Sequence, residues 1–447
     1  MMNLSEVEKL LLQRWPEVRI EPSLIRIAAL SDLLGSPQLS YPTVHIGGTN
    51  GKTSTTRFTE NLFRALDFRT GRFTSPHLES ILERITINCE PISESAFVAT
   101  YLDIEPYLDL VDSRQQHPLS FFETITAMAF VAFAEFPVDV GIIEVGMGGQ
   151  WDATNVVQSQ VSVIAPISYD HMQYLGNTLE EIATTKSGII KENSQVILSA
   201  QTQSVAKILL SKALEMNSQP YRFGVEFGIK KRTLAVGGQV IDFAGIYQDY
   251  QDIYLPLHGE HQSQNAALAL AAVESFSGKA LNEDLIRTGF AASNSPGRLE
   301  VLHNDPFVMV DAAHNPDGAN SLKSALKSEF DLATKIGVIA ILGDKDVTSY
   351  MENIAGVFDQ LVISKNNSPR AMEIAELEKI ALKFYKPNQI KLVEKLSEAI
   401  DFAIAQANLL NQTTDFSNGV VITGSVVTAG EARIILRNKY GKLQSEK

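Results

Sequence analysis

Residues 43–54 read TVHIGGTNGKTS. The first four, TVHI, are rich in β-branched side chains, with Val44 and Ile46 apolar, which predicts a buried strand. Gly47 to Ser54 follow as a glycine-rich turn, and a helix is expected from about Lys52 to Phe68. Glycines let the main chain bend tightly and turn its N–H groups toward a phosphate, and the start of a helix adds partial positive charge. Asn50, Gly51, Lys52, Thr53 and Ser54 therefore form a candidate nucleotide-binding segment. Lys52 has the reach for terminal phosphate oxygens, and the Thr53 hydroxyl suits a magnesium ion. The usual phosphate loop has four residues between its two glycines, whereas Gly48 and Gly51 enclose only Thr49 and Asn50. The bland alternative is a glycine turn that starts a helix. Lys-Thr directly after the last glycine favours phosphate.

Working outward, short apolar stretches alternate with amphipathic ones. Strands are expected at 140–145, 161–167 and 195–199, and helices near 121–135 and 178–190. Residues 228–256 are rich in β-branched and aromatic side chains around Gly237-Gly238, which predicts a hairpin or small antiparallel sheet. Turn-forming residues cluster in SNSPGR, 293–298, and the alternation then restarts. Strands are expected at 307–311, 336–342, 360–364, 389–393 and 419–423, with helices near 318–330, 371–384 and 396–408. The fold class is α/β: a P-loop parallel-sheet ATPase domain over 1–296 and a smaller Rossmann-like α/β domain over 297–447.

A chain of 447 residues is long enough for two cores. Its net charge of −14 opposes a nucleic-acid or anionic-membrane partner at long range, though a few local cations still accommodate anionic substrates. Cys89 is the only cysteine, so no internal disulfide and no cysteine-cluster metal site are expected. No apolar stretch reaches the ~18 residues that span a bilayer, and the opening MMNLSEVEKLLLQRW lacks the pattern of a signal peptide, so a cytoplasmic enzyme is expected.

The variant loop GTNGKT resembles that of the Mur ligase superfamily, whose members make amide bonds with ATP, and further strings of the superfamily follow in order. In TSPHL, 74–78, the resemblance assigns Ser75 a magnesium contact. GIIEVGMGG, 141–149, puts Glu144 at the carboxyl end of a strand, where open α/β sheets bind ligands. YDHMQYLGNTLEEIATTKSGIIK, 169–191, carries His171 as the family's magnesium histidine and, fifteen residues later, Lys186 as its carbamylated lysine. Ser75 and Glu144 offer the oxygen ligands that magnesium prefers; His171 is the least usual ligand for it. A lysine that is neutral for part of the time adds carbon dioxide, and the carbamate can hold a second metal. Taken singly, Glu144 reads equally as an ion-pair residue, His171 as a structural histidine and Lys186 as a solvated helix lysine.

The resemblance also implies nucleotide contacts from Asn265 in HGEHQSQNAALALAA, Arg298 in PGRLE and Asp311 in DAAHNPDG, with His314 as a catalytic residue near the phosphates or the incoming amine. LGDKD, 342–346, and TGS, 423–425, match as well, and Ser425 is assigned to the incoming glutamate, against the simpler reading of a Gly-Ser turn. Several strings resemble the dihydrofolate/folylpolyglutamate synthase branch: SPHL with ERI after it, FFET (121–124), DATN (152–155) and YDH…LGNTLEEIA. By that analogy Phe121, Phe122, Glu123, Thr124, Trp151, Asp152 and Ala153 bind the pterin substrate, with an aromatic such as Phe122 stacking on its ring. Ordinary core packing is the alternative for Phe122. Two positions depart from the branch: Thr53 stands where glycine is usual, and Gln150-Trp151 stand where the family has Arg-Leu.

The expected activity is ATP-dependent addition of L-glutamate to dihydropteroate or to reduced folates through an acyl-phosphate, by a monomer using ATP and two magnesium ions. A ligase acting on UDP-linked wall precursors and a nucleotide-binding protein without turnover are the alternatives.

Overall fold

The computed structural model describes residues 2–16, 22–413 and 417–441. The chain divides into two compact units. One contains residues up to Thr233, Val240–Pro256 and Ser263–Asn294; the other contains Leu234–Gln239, Leu257–Gln262 and the residues from Ser295 onward.

The first unit is built on an eight-stranded sheet. In spatial order its strands are Glu90–Pro91, Ile85–Ile87, Thr70–Phe73, Val140–Glu144, Thr43–Gly47, Val161–Ile164, Gln195–Leu198 and Gln219–Arg222. The first two are antiparallel additions, and the other six run parallel. Thr43–Gly47 is buried throughout, as its apolar run predicts for a central strand covered on both faces. Helix Phe121–Glu135 is almost wholly buried and starts with a reciprocal capping box between Ser120 and Glu123. Leu179–Ser187 starts with the same device, from Thr178 and Glu181, and is followed by Gly188. The strand expected at 161–167 ends at Ile164, because Pro166 has no N–H to continue a ladder. The helix expected over 52–68 runs Lys52–Ala65. Strands Gly228–Ala235, Gly238–Ala244 and Asp249–Leu255 form a separate three-stranded sheet in sequential order, at the place where β structure was expected.

The second unit has a six-stranded sheet in the order Glu300–Asn304, Phe307–Val310, Asn418–Thr423, Thr334–Ile339, Gln360–Lys365 and Ile390–Lys395. All neighbours are parallel except the first pair. Separate apolar clusters cover its two faces, one around Tyr350, Met351 and Leu377 and one around Ile400, Ala403 and Leu436. This is the doubly wound arrangement, which leaves the carboxyl ends of the strands as the natural ligand edge. Among the described residues no helix is long and apolar enough to cross a membrane.

Candidate active site

Four neighbouring strands of the first sheet end side by side, and the segments that leave them carry the motif residues. Thr70–Phe73 leads to Ser75, Val140–Glu144 ends on Glu144, Thr43–Gly47 leads into the phosphate loop, and Val161–Ile164 leads to the 166–171 segment. Adjacent parallel strands therefore bring together residues far apart in sequence.

The phosphate loop is held by close packing that only glycine permits at two places. A Cβ on Gly48, at φ +135°, would lie 2.7 Å from the Ala165 Cβ and 2.9 Å from its backbone. A Cβ on Gly51, at φ +86°, would lie 2.3 Å from Asn265 Oδ1. Asn265 is buried, so its side chain roofs the loop at the residue before the helix begins. Thr49 N–H donates to the Pro166 carbonyl at 2.8 Å, the Thr49 hydroxyl donates to the Ser168 carbonyl at 3.0 Å, and the Asn50 amide donates to Ser168 Oγ at 3.2 Å. Ser54 is buried in the first turn of the following helix.

Glu144 is buried at the next strand end. Its Oε1 accepts from the Thr53 hydroxyl at 2.8 Å, and its Oε2 accepts from Ser75 N–H at 3.4 Å. The Thr53 hydroxyl and the Ser75 backbone thus meet on the Glu144 carboxylate directly at the loop. Lys52 Nζ donates back to the Gly48 and Thr49 carbonyls, at 3.3 and 3.1 Å. Lys186 Nζ donates to the same Gly48 carbonyl at 2.7 Å. Lys186 lies in the last turn of its helix but is only 5 % exposed. Burial, reinforced by the Lys52 charge, pushes its ammonium down to about 7, while Asp170 and Asp152 pull it back.

His171 sits in left-handed backbone at φ 50° and its Nε2 is 3.7 Å from Asp170 Oδ2. Asp170 is a residue that the sequence reading passed over. It lies inside the quoted YDH string, and its approach to His171 and its electrostatic reach to Lys186 give it a part in the site. Among the described residues no group of three or more His, Cys, Asp or Glu side chains is placed to hold a metal. A cation at Thr53, Ser75 and Glu144 would therefore rely on phosphate and water oxygens for the rest of its shell. That donor set is hard, oxygen-only and sparse, and fits magnesium.

The residues assigned to the pterin are placed as follows. Phe121 is buried, with the Arg84 guanidinium 4.9 Å above its ring. Phe122 is half-buried, 5.9 Å from the Phe73 ring and against Gly146. The Glu123 carboxylate receives Arg26 Nε at 3.0 Å besides capping its helix, and the Thr124 hydroxyl donates to the Ser120 carbonyl. Trp151 packs against the cluster around Leu175 and Ile182, and Ala153 is buried. Asp152 is buried and accepts from Met147 N–H, Thr154 N–H and the Thr154 hydroxyl; burial nonetheless raises its carboxyl above the ordinary value. These bonds make Asp152 a brace for the 147–154 turn.

In the second unit Asp311 leaves strand Phe307–Val310 and accepts from Leu299 N–H and Ala313 N–H, both at 2.9 Å. Burial raises its carboxyl, and the backbone bonds and the Arg298 and His314 charges oppose the shift. Arg298 Nη1 donates to the Gly297 carbonyl, and His314 Nδ1 lies 2.9 Å from the Ala312 carbonyl. The HNP of DAAHNPDG also has a local function: Asn315 caps helix Pro316–Ser328 and Pro316 is its first residue. Ser425 is buried, caps helix Val426–Tyr440 through Thr428 N–H, and receives the Asn366 amide at 3.3 Å. In LGDKD, Asp344 pairs with Arg370 and Asp346 caps the next helix.

Two family models match the chain: the Mur ligase middle domain over residues 46–273, and the Mur ligase glutamate ligase domain over 297–425. The chain is 48% identical to dihydrofolate synthase/folylpolyglutamate synthase of Mycobacterium tuberculosis, over 97% of this chain and 94% of that protein. Among solved structures, M. tuberculosis folylpolyglutamate synthase complexed with ADP superposes with a TM-score of 0.94 at 49% identity, covering 97% of this chain and 98% of that one. Escherichia coli FolC in complex with DHPP and ADP gives 0.86 at 28% identity, covering 98% of each chain. With the phosphate loop, the strand-end carboxylate and the buried lysine set around it, these likenesses place the chain in the dihydrofolate synthase/folylpolyglutamate synthase family of Mur ligases.

Proposed function

We propose that this ADP-forming acid–amino-acid ligase binds ATP in its 1–296 domain and adds L-glutamate to dihydropteroate, to reduced folates, or to both, with the 297–447 domain serving the glutamate step. The observation that carries the reading is the cluster of Thr53, Ser75 and Glu144 beside a loop whose Gly48 carbonyl takes both Lys52 and Lys186. The relatives' complexes support it, because they hold ADP and, in one case, DHPP.

In this reading the loop N–H groups and Lys52 cradle the triphosphate, and Asn265, Arg298 and Asp311 contribute to holding the nucleotide. The γ-phosphoryl group passes to the substrate carboxylate, and the glutamate amine then displaces phosphate from the acyl-phosphate. Lys52 leaves the Gly48 and Thr49 carbonyls for the phosphate oxygens and neutralises charge as it develops. His314 orients the amine or the departing phosphate. Thr53, Ser75 and Glu144 would hold one magnesium ion and His171 with carbamylated Lys186 a second; bound magnesium supplies charge neutralisation at the phosphates. The depressed Lys186 amine supports the carbamate, since only the neutral amine adds carbon dioxide. Phe121 to Thr124 and Trp151 to Ala153 are assigned to the pterin side, and Ser425 to glutamate. A monomer in the cytoplasm is the proposed form.

The test is glutamate-dependent ADP release with dihydropteroate and tetrahydrofolate side by side, for wild type and Lys52→Ala. Wild type is expected to turn over at least one acid, and the variant to lose release by a hundredfold or more, on the order of what one transition-state charge contact supplies. Lys52→Ala turning over like wild type would remove the phosphate-loop assignment.

A further inference from the structure

We propose that Glu83 is a positioning residue for the active site, one that acts by clamping the loop that carries Ser75. The Glu83 carboxylate accepts three backbone N–H groups of that loop: Leu78 at 3.0 Å through Oε2, and Glu79 and Ser80 at 3.0 and 2.9 Å through Oε1. The base of the loop is closed by main chain, Thr74 N–H to the Arg84 carbonyl at 3.0 Å, with the Thr74 hydroxyl on the Glu83 carbonyl at 3.3 Å. Glu83 thus draws the far side of the loop onto its own base, and residues 75–77 have little freedom to move.

What the clamp holds in place is functional on both sides. On one side the loop's first residue, Ser75, donates its N–H to Glu144, which also takes the Thr53 hydroxyl. On the other side Arg84 donates Nε–H to His77 Nδ1 at 3.0 Å, which fixes the His77 proton on Nε2, and the same guanidinium lies over the Phe121 ring. Arg57, one turn beyond Thr53, is pushed down to about 9 by burial and the Arg72 charge, with the Glu83, Glu60 and Glu144 charges pulling it back. The loop therefore joins the cluster proposed for the metal to the stretch proposed for the acid substrate. The inference rests on the ligase reading for its consequence but not for its geometry.

Glu83→Gln keeps the size and replaces one carboxylate oxygen by an NH2 group, which cannot accept from a backbone N–H. At least one of the three loop bonds is lost while the core beneath stays filled. Amide exchange at 78–80 is expected to quicken about tenfold, the fold-change that loss of one charge-assisted bond implies. The magnesium concentration for half-maximal ADP release and the KM for the acid are expected to rise together by about tenfold, with the melting temperature unchanged within about 2 °C. Glu83→Asp, which keeps two acceptors, recovers part of both. Unchanged exchange at 78–80 overturns the clamp itself. Quickened exchange with wild-type magnesium and acid dependence overturns its functional role, as does a loss of activity matched by a large fall in melting temperature. If wild type releases no glutamate-dependent ADP, the ligase reading fails instead, and the exchange result still stands on its own.

Discussion

Lys186→Met separates the cost of burying this lysine from the use made of it. In the unfolded chain the amine titrates at its ordinary 10.5, and in the folded protein at about 7. Between those values the unfolded state binds the extra proton, so folded stability rises with pH through that window. Below about pH 7 both states are charged and the penalty is complete, about 5 kcal/mol at 1.36 kcal/mol per decade. Methionine fills similar space without charge, but it forfeits the bond to the Gly48 carbonyl, worth about 1–3 kcal/mol. The variant is therefore expected to be the more stable protein at pH 6.5, by about 2–4 kcal/mol, and the less stable one at pH 10. In a unit of this size that is a shift of several degrees in melting temperature. The assay is thermal unfolding of both proteins from pH 6 to 10 in buffer freed of carbon dioxide, so that no carbamate forms. Crossing curves are the expected result. Parallel curves, with no pH dependence in their difference, would refute the claim that burial has pushed the Lys186 proton off.

Gly51→Ala forces a Cβ to 2.3 Å from Asn265 Oδ1 at a φ of +86°. It is expected to cost on the order of 1–3 kcal/mol and to weaken nucleotide binding by at least tenfold, read by ADP titration calorimetry. Ser425→Ala removes the cap of helix Val426–Tyr440 and is expected to lower stability by about 0.5–2 kcal/mol in any case. A rise in the KM for glutamate beyond that loss of folded protein would give Ser425 a substrate contact as well; an unchanged KM would leave it a cap alone.

The phosphate loop was legible because its chemistry is local. Glycine, lysine and threonine between a strand and a helix carry their meaning within eight residues. The strand–helix alternation was equally legible, since burial of a parallel sheet on both faces writes apolar runs into the chain. Element ends were less so: strand Val161–Ile164 stops short of the expected 167, ahead of Pro166, and helix Leu179–Ser187 stops short of the expected 190 at Gly188. Resemblance singled out Glu144, Asn265 and Lys186, but no local feature told what each would touch.

Tertiary structure decided the rest. Lys186 sits in a helix with polar neighbours and reads as solvated; it is buried only because the fold sets it against a carbonyl 138 residues away. Thr53 meets Glu144 across 91 residues because two neighbouring strands end at the same height. Asn315 and Asp152 belong to motif strings, yet Asn315 caps a helix and Asp152 braces a turn. The physical reason is range: turn and phosphate chemistry depend on backbone conformation within a few residues, whereas burial, and with it the charge state of Lys186, depends on which distant segments the sheet order makes neighbours.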